Sequence, residues 1–165
     1  MSEPVEYRLV RVFNAPRATV WRSWTEPELL ARWYGPGVET IIHEFDLKPG
    51  GQWRNEMKWG DNSNLSKMVF QDVVPPEKLI WHHSSTDADW NIAANPMMPD
   101  WPKTLLTTVL FEDLGAQTKV TLTQTPIDAS EAEMNCFAQT MSGMDRGWGS
   151  GYSVLDALLV ELSID

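Results

Sequence analysis

Histidines are the first residues of this sequence whose type and spacing could support chemistry. His82 and His83 are adjacent, and neighbours on a strand point to opposite faces of a sheet, so they cannot ligate one metal ion together. His43 belongs to a different strand-like segment. We therefore expect no metal site and no bound cofactor.

His83 has the same strand phase as Trp81 and Leu79, so we expect all three to face the interior. An imidazole placed there could hydrogen-bond a ligand or act as a general base. The default interpretation of a single interior histidine is structural, with its hydrogen bonds satisfied by neighbours.

Carboxylates on neighbouring strand-like segments are the other candidates for acid–base catalysis: Glu44, Asp46, Glu56 and Asp72. The phase of Glu56 relative to Trp53 places Glu56 outside, so a solvated face is favoured over a catalytic pair, which stays open. No serine lies in a Gly-x-Ser-x-Gly elbow, and no phosphate-binding glycine motif follows a strand. We therefore assign no catalytic residue, and an enzyme is the less favoured interpretation.

Tryptophan and methionine are unusually frequent, with nine and eight copies in 165 residues. These side chains fill irregular apolar space or line adaptable binding surfaces. Twelve residues are predicted to line a cavity between sheet and helix, which would suit a small hydrophobic or aromatic ligand. They are Trp53, Met57, Met68, Phe70, Trp81, His83, Trp90, Trp101, Met141, Met144, Trp148 and Tyr152.

Alternating apolar and polar residues predict the strands that must position these side chains. Pro16 and Pro27 each suit a first helical turn, so two short helices should follow the first strand. Turn residues separate the later segments, which predicts consecutive antiparallel hairpins, with one turn over residues 60–64. The predicted strands are 5–13, 39–47, 52–59, 67–74, 78–84, 104–112 and 118–125.

Residues 85–102 lack any periodicity but contain Trp90, Met97, Met98 and Trp101. A long loop with this apolar content predicts a packed cover over the cavity.

The longest helical pattern begins after Ser130, the predicted N-cap, and carries Glu131 and Glu133 in its first turn. Four glycines between 143 and 151 cost about 1 kcal/mol each relative to alanine, so a close approach to the sheet or a ligand must offset them. One apolar stripe runs along the helix: Phe137, Met141, Met144, Trp148, Leu155, Leu158 and Leu162.

Composition and charge exclude several classes of partner. The formal charge of −10, without a basic cluster, disfavours nucleic acid and anionic membranes. The N-terminus lacks the pattern of a signal peptide, and no apolar run is long enough to span a bilayer. Cys136 is alone, so no internal disulfide forms. We expect a single cytoplasmic domain over residues 1–165.

Short motifs in a fixed order cover nearly the whole chain. They are Val12-Phe13-Asn14-Ala15-Pro16, Trp24-Thr25-Glu26-Pro27-Glu28-Leu29, Trp33-Tyr34-Gly35-Pro36, Pro49-Gly50-Gly51-Gln52-Trp53, Pro76-Glu77-Lys78-Leu79-Ile80-Trp81, Thr118-Lys119-Val120-Thr121-Leu122-Thr123 and Gly147-Trp148. In this order and spacing they resemble the activator of heat-shock protein 90 ATPase homologue family, a branch of the START-like or SRPBCC superfamily. The resemblance implies an α+β helix-grip fold, in which a curved antiparallel sheet wraps around a long C-terminal helix.

Three functions remain open, because this superfamily includes carriers, cyclases and chaperone activators, and a fold does not determine a function. Binding of a small hydrophobic or aromatic molecule in the cavity is the leading hypothesis. A chaperone-modulating interaction module with a role in stress response is the second, implied by the family name. A cyclase or hydrolase that uses His83 or a cavity carboxylate as its base is the third. Open sheet edges would also allow a homodimer.

Overall fold

The computed structural model describes residues 5–163, so the ends of the predicted domain, 1–4 and 164–165, lie outside the described residues. Within that range the chain forms seven strands and three helices. The strands are β1 (Tyr7–Phe13), β2 (Glu39–Phe45), β3 (Gln52–Trp59), β4 (Asn62–Val74), β5 (Lys78–Ser85), β6 (Thr104–Asp113) and β7 (Thr118–Pro126). The helices are α1 (Arg17–Thr25), α2 (Pro27–Trp33) and α3 (Glu131–Leu162).

One antiparallel sheet contains all seven strands in the order β1-β7-β6-β5-β4-β3-β2. Strands β2 to β7 form the predicted meander of hairpins, and β1 pairs with β7. This arrangement, with the long C-terminal helix and two short helices after β1, confirms the α+β helix-grip fold. The sheet edges are β1 and β2, and the homodimer expected from open edges stays a prediction.

The inner face of the sheet is the face that packs against α3, and the strand register determines which side chains reach it. Trp53 lies opposite Met68, and Met68 lies opposite His83. His83 in turn lies opposite Leu105 on β6. Residues directly opposite each other across a ladder share a face, so this row crosses the inner face from β3 to β6.

The prolines begin the two short helices as predicted. Pro16 is the N-cap of α1, and Pro27 is the first residue of α2, where its missing N–H leaves no intrahelical bond unmade. The buried sides of the two helices pack against one end of the sheet's inner face and against α3. Those buried residues are Val20, Trp21, Ser23, Trp24, Leu29, Leu30 and Trp33.

Helix α3 begins with a complete capping box, which confirms Ser130 as its N-cap. The Glu133 backbone N–H donates to Ser130 Oγ at 3.1 Å, and the Ser130 N–H donates to Glu133 Oε1 at 2.9 Å. None of the described helices, α3 included, is long and apolar enough to cross a membrane.

The turn predicted over residues 60–64 is shorter in the structure. Trp59 already pairs with Asn62, so only Gly60 and Asp61 connect β3 to β4. Gly60 has a φ of 57°, a left-handed conformation that glycine adopts without strain, which permits so tight a hairpin. Strand β4 therefore begins five residues before the predicted start at Lys67.

One helix glycine marks where α3 touches α2. A Cβ added at Gly151 would lie 3.2 Å from the Trp33 carbonyl oxygen, whereas a Cβ at Gly149 would meet nothing within 4 Å. The close approach at Gly151 is therefore to the C-terminal end of α2, whereas the sequence predicted an approach to the sheet or to a ligand.

Alanine substitutions at these two glycines should differ in stability. Gly149→Ala should raise the free energy of unfolding by about 0.5 to 1 kcal/mol, because it removes the backbone flexibility of glycine in a helix. Gly151→Ala should fall short of that gain, because its Cβ crowds the Trp33 carbonyl. Urea unfolding of both variants measures the difference, and equal gains would show that the contact at Gly151 is not close.

Candidate functional site

A pocket of about 620 Å³ lies between the inner face of the sheet and the middle of α3. Its volume falls within the range of sites that bind small molecules. Strands β3 to β7 contribute one wall, and α3 contributes the facing wall. The C-terminal end of α2, the connection from α2 to β2 and the end of the connection from β5 to β6 close the sides.

The roof of the pocket, on the helix side, is mainly apolar, and Arg146 and Ser150 of α3 are the polar side chains in it. The apolar side chains come from the end of α2, the connection from α2 to β2, the end of the connection from β5 to β6, and α3. They are Trp33, Tyr34, Pro36, Val38, Trp101, Met144 and Trp148. The Trp148 ring is fixed between two others, since its centroid lies 5.8 Å from that of Tyr34 and 6.1 Å from that of Trp24. Burial raises the pKa of Tyr34 well above its ordinary value, so its hydroxyl stays neutral.

The floor of the pocket, on the sheet side, carries hydrogen-bonding groups. Ser66 of β4 lies directly opposite Ser85 of β5. Gln124 of β7 is almost fully buried, and its amide donates to Thr107 Oγ1 at 3.1 Å. The polar residues of this floor are Asn64, Ser66, His83, Ser85 and Gln124, and Met57 and Leu105 are its apolar residues. A ligand lying in this pocket would therefore meet aromatic surface on one side and polar atoms on the other.

His83 is the titratable group on this floor. Its Nδ1 atom is buried without a hydrogen-bond partner among the described residues, and the side chain lines the pocket. Burial lowers the pKa of His83 from 6.5 to about 4, so the imidazole is neutral at pH 7. The interpretation of His83 as a structural histidine stays a prediction; its direct neighbours on the adjacent strands are Met68 and Leu105, which offer its ring no polar side chain.

The candidate carboxylates lie outside the pocket, and each contacts a basic side chain. Glu56 Oε1 lies 2.9 Å from His43 Nε2, and Asp72 contacts Lys78 at 3.0 Å. Glu44 pairs with Arg54 at 3.3 Å, and Asp46 with Lys48 at 3.5 Å. These side chains are partly exposed, in agreement with the solvated face that was favoured over a catalytic pair.

The structure brings five of the twelve predicted lining residues together at the pocket: Met57, His83, Trp101, Met144 and Trp148. Five others lie in the hydrophobic core instead: Trp53, Met68, Phe70, Trp81 and Tyr152. Their rings pack on one another and on Trp24, whose centroid lies 6.4 Å from Trp81 and 6.2 Å from Tyr152. The short helices fill this end of the sheet's inner face, so no open space remains there.

Met141 and Trp90 occupy other positions. Met141 is half-buried against the core. Trp90 is in a left-handed conformation with a φ of 66°, and its ring centroid lies 5.6 Å from that of His43. The Arg54 guanidinium lies 5.5 Å from the same ring, which favours a cation–π contact. Of the predicted cover over residues 85–102, Ser85, Asn95, Trp101 and Pro102 line the pocket, whereas Met97 is 74% exposed.

Several pocket residues were missed by sequence reasoning. Gln124 shares the inward phase of Val120 and Leu122 on β7, and a polar residue in that series was the available signal. Ser66 gave no such signal, because it precedes the predicted start of its strand at Lys67. The roof residues at the end of α2, Trp33 to Val38, gave no such signal, because their position over the sheet depends on how the short helices pack.

Comparison with known proteins identifies the family. The family model for Activator of Hsp90 ATPase homolog 1-like protein matches residues 14–160, nearly the whole chain. The chain belongs to this family. The resemblance found in the sequence motifs is thereby confirmed, while a search of curated proteins finds no match.

Solved structures share the fold of this family member. A crystal structure of a protein from Mycobacterium smegmatis has 22% identity and a TM-score of 0.79, with 94% of this chain and 91% of that chain covered. A solution structure of an Arthrobacter aurescens protein has 24% identity and a TM-score of 0.80, with 96% and 87% covered. A Nitrosomonas europaea protein has 22% identity and a TM-score of 0.74, with both chains fully covered. At these identities the likeness establishes the fold alone.

The lowered pKa of His83 predicts a specific dependence of stability on pH. Between pH 6.5 and about pH 4 the unfolded chain binds a proton at residue 83 that the folded chain does not, so acidification lowers the free energy of unfolding. His83→Gln should reduce the loss between about pH 7 and about pH 4.5 by on the order of 1 to 3 kcal/mol.

Urea unfolding at the two pH values measures this effect. His82→Gln is the matched control, because it removes the neighbouring histidine, whose side chain lies on the opposite face of β5. The control should keep the wild-type pH dependence. An unchanged dependence in His83→Gln would contradict a neutral, buried imidazole.

Proposed function

We propose that this protein binds a small organic molecule, mainly apolar but with hydrogen-bonding groups, in the pocket between the sheet and α3. The observation that supports this most is the two-sided character of the pocket: an aromatic roof faces a polar floor that includes the partly unsatisfied His83. If this space were part of the packed core, apolar side chains of the sheet and of α3 would contact each other here.

Because the floor is polar, the proposed ligand differs from the small hydrophobic or aromatic molecule that was predicted from the sequence. A purely apolar molecule would cover Ser66 and Ser85 without offering their hydroxyl groups a hydrogen-bond partner, which costs free energy. A flat molecule with an aromatic face and a hydroxyl, carbonyl or amide edge satisfies both sides of the pocket. For about fifteen to twenty heavy atoms, ordinary ligand efficiencies give dissociation constants in the micromolar range or weaker.

Catalysis has less support than binding. The pocket-lining residues that the structure describes include no aspartate or glutamate. His83 is the one candidate base among them, and a pKa of about 4 makes it a poor proton acceptor at neutral pH. A cyclase or hydrolase would need a further group that raises this pKa once the substrate is bound.

Modulation of a chaperone is the second candidate, and the family description favours it. A surface that could contact a partner lies on the outer face of the sheet, where the exposed Val10 and Leu110 both pair with Thr121 of β7. If this surface acts on a chaperone, adding the protein should raise the ATPase rate of purified Hsp90, and Val10→Asp should abolish the increase. An unchanged rate with the wild-type protein would exclude this candidate.

A fluorescent probe tests the proposed binding. N-phenyl-1-naphthylamine is neutral, carries two aromatic systems and one N–H, and becomes fluorescent in apolar surroundings. Gly147 lies in the pocket wall, and a Cβ added there meets nothing within 4 Å, so a leucine side chain fits the helix and occupies pocket volume. Gly147→Leu should weaken probe binding about tenfold or more, because the lost volume displaces a ring.

Gly149→Leu is the matched control. It makes the same change in the same helix, again without a close contact, but residue 149 does not line the pocket. This variant should bind the probe as the wild type does. Equal binding by both leucine variants, or no binding by the wild type, would overturn the proposed function.

A further inference from the structure

Ion pairing divides the arginines of this protein into two groups. The chain has seven arginines, and six of them lie within 4.0 Å of a carboxylate in the described structure. These pairs are Arg8 with Glu6, Arg11 with Asp156, Arg17 with Glu77, Arg22 with Glu26, Arg32 with Glu161, and Arg54 with Glu44. With 23 acidic and 13 basic residues in the chain, partners for arginine are plentiful.

Arg146 is the exception, since no carboxylate of residues 5–163 pairs with it. The residues four positions before and after it on α3 are Ser142 and Ser150, so no helical neighbour supplies a charge. The adjacent carboxylate, Asp145, accepts a hydrogen bond from the Tyr7 hydroxyl at 3.1 Å instead. Arg146 is also the only charged side chain in the described wall of the pocket.

From this arrangement we infer that the ligand of the pocket is an organic anion, whose carboxylate or similar group binds to Arg146 at the rim. The inference rests on the proposed function and names the class of molecule that the pocket takes. A guanidinium presents a planar fork of N–H donors that matches a carboxylate, and charge-assisted hydrogen bonds of this kind are stronger than neutral ones.

The position of Arg146 suits an amphipathic ligand. Its side chain is exposed, so the guanidinium stays hydrated in the free protein and needs no internal partner. The aromatic body of the ligand would lie between Trp148 and the polar floor, while its charged end stays at the solvent boundary. Neither charge would then have to be buried, and the cost of removing ions from water is largely avoided.

The net charge of −10 does not oppose this assignment at short range. Interactions between exposed charges are screened over roughly 8 Å at physiological ionic strength, so distant carboxylates act weakly at the rim. The described wall of the pocket contains no acidic residue, and Arg146 is its one charged side chain.

Two isosteric competitors test the inference. 2-Naphthylacetate and 2-naphthylacetamide have nearly the same shape and differ in charge, and each is titrated against bound N-phenyl-1-naphthylamine. The wild-type protein should prefer the acetate. Arg146→Gln should weaken acetate binding about tenfold, the usual effect of losing a hydrogen bond between charged groups, and leave acetamide binding within about twofold.

Two control variants separate local from general charge effects. Lys119→Gln removes a positive charge at the far end of β7 from the pocket residue Gln124, and should leave both competitors unaffected. Arg146→Lys keeps the charge without the planar fork, and should restore part of the acetate affinity.

Each outcome of this experiment has a definite meaning. Equal weakening of both competitors by Arg146→Gln would show that Arg146 contributes packing alone, and no weakening would show that it does not contact the ligand. Either result overturns the anionic assignment while the proposed function stands. Failure of N-phenyl-1-naphthylamine to bind the wild-type protein overturns the proposed function, and the assignment with it.

Discussion

The packing of Trp24 against α2 and α3 is the contact on which the rest of this structure depends. Its ring centroid lies 4.7 Å from that of Trp33, 6.1 Å from Trp148 and 6.2 Å from Tyr152. Aromatic pairs at these separations contribute beyond the area they bury, and a group of them packs as one rigid body. The cluster therefore holds α3 against the short helices and determines its separation from the sheet.

The separation between α3 and the sheet explains why a pocket forms beside a densely packed core. At Gly151 the absent side chain lets the helix approach the Trp33 carbonyl, and the following residues, Tyr152 and Leu155, are fully buried. One turn earlier, Gly147 faces the pocket wall without any contact, so the helix leaves space between itself and β4 to β7. Both glycines lower the helix propensity of α3. Gly151 allows close packing against α2, whereas Gly147 leaves space in the pocket.

The sequence predicted the fold well and the site only in part, for a physical reason. Strand phase is a local property, and it correctly placed His83 on the inner face with Trp81. Position along the strand is not local, because it depends on where α1 and α2 pack. Trp53 and Trp81 consequently fill the core while Met57 and His83 line the pocket. Trp90 lies in a segment without periodicity, where phase gives no information at all.

Methionine methyl NMR tests most directly whether a ligand binds in the space between the sheet and α3. The Met57 and Met144 side chains line the pocket, Met68 is buried in the core, and Met97 is 74% exposed on the surface. With N-phenyl-1-naphthylamine bound, nuclear Overhauser contacts should connect the naphthyl protons to the methyl groups of Met57 and Met144. Contacts to Met97, or contacts to neither pocket methionine, would contradict the account.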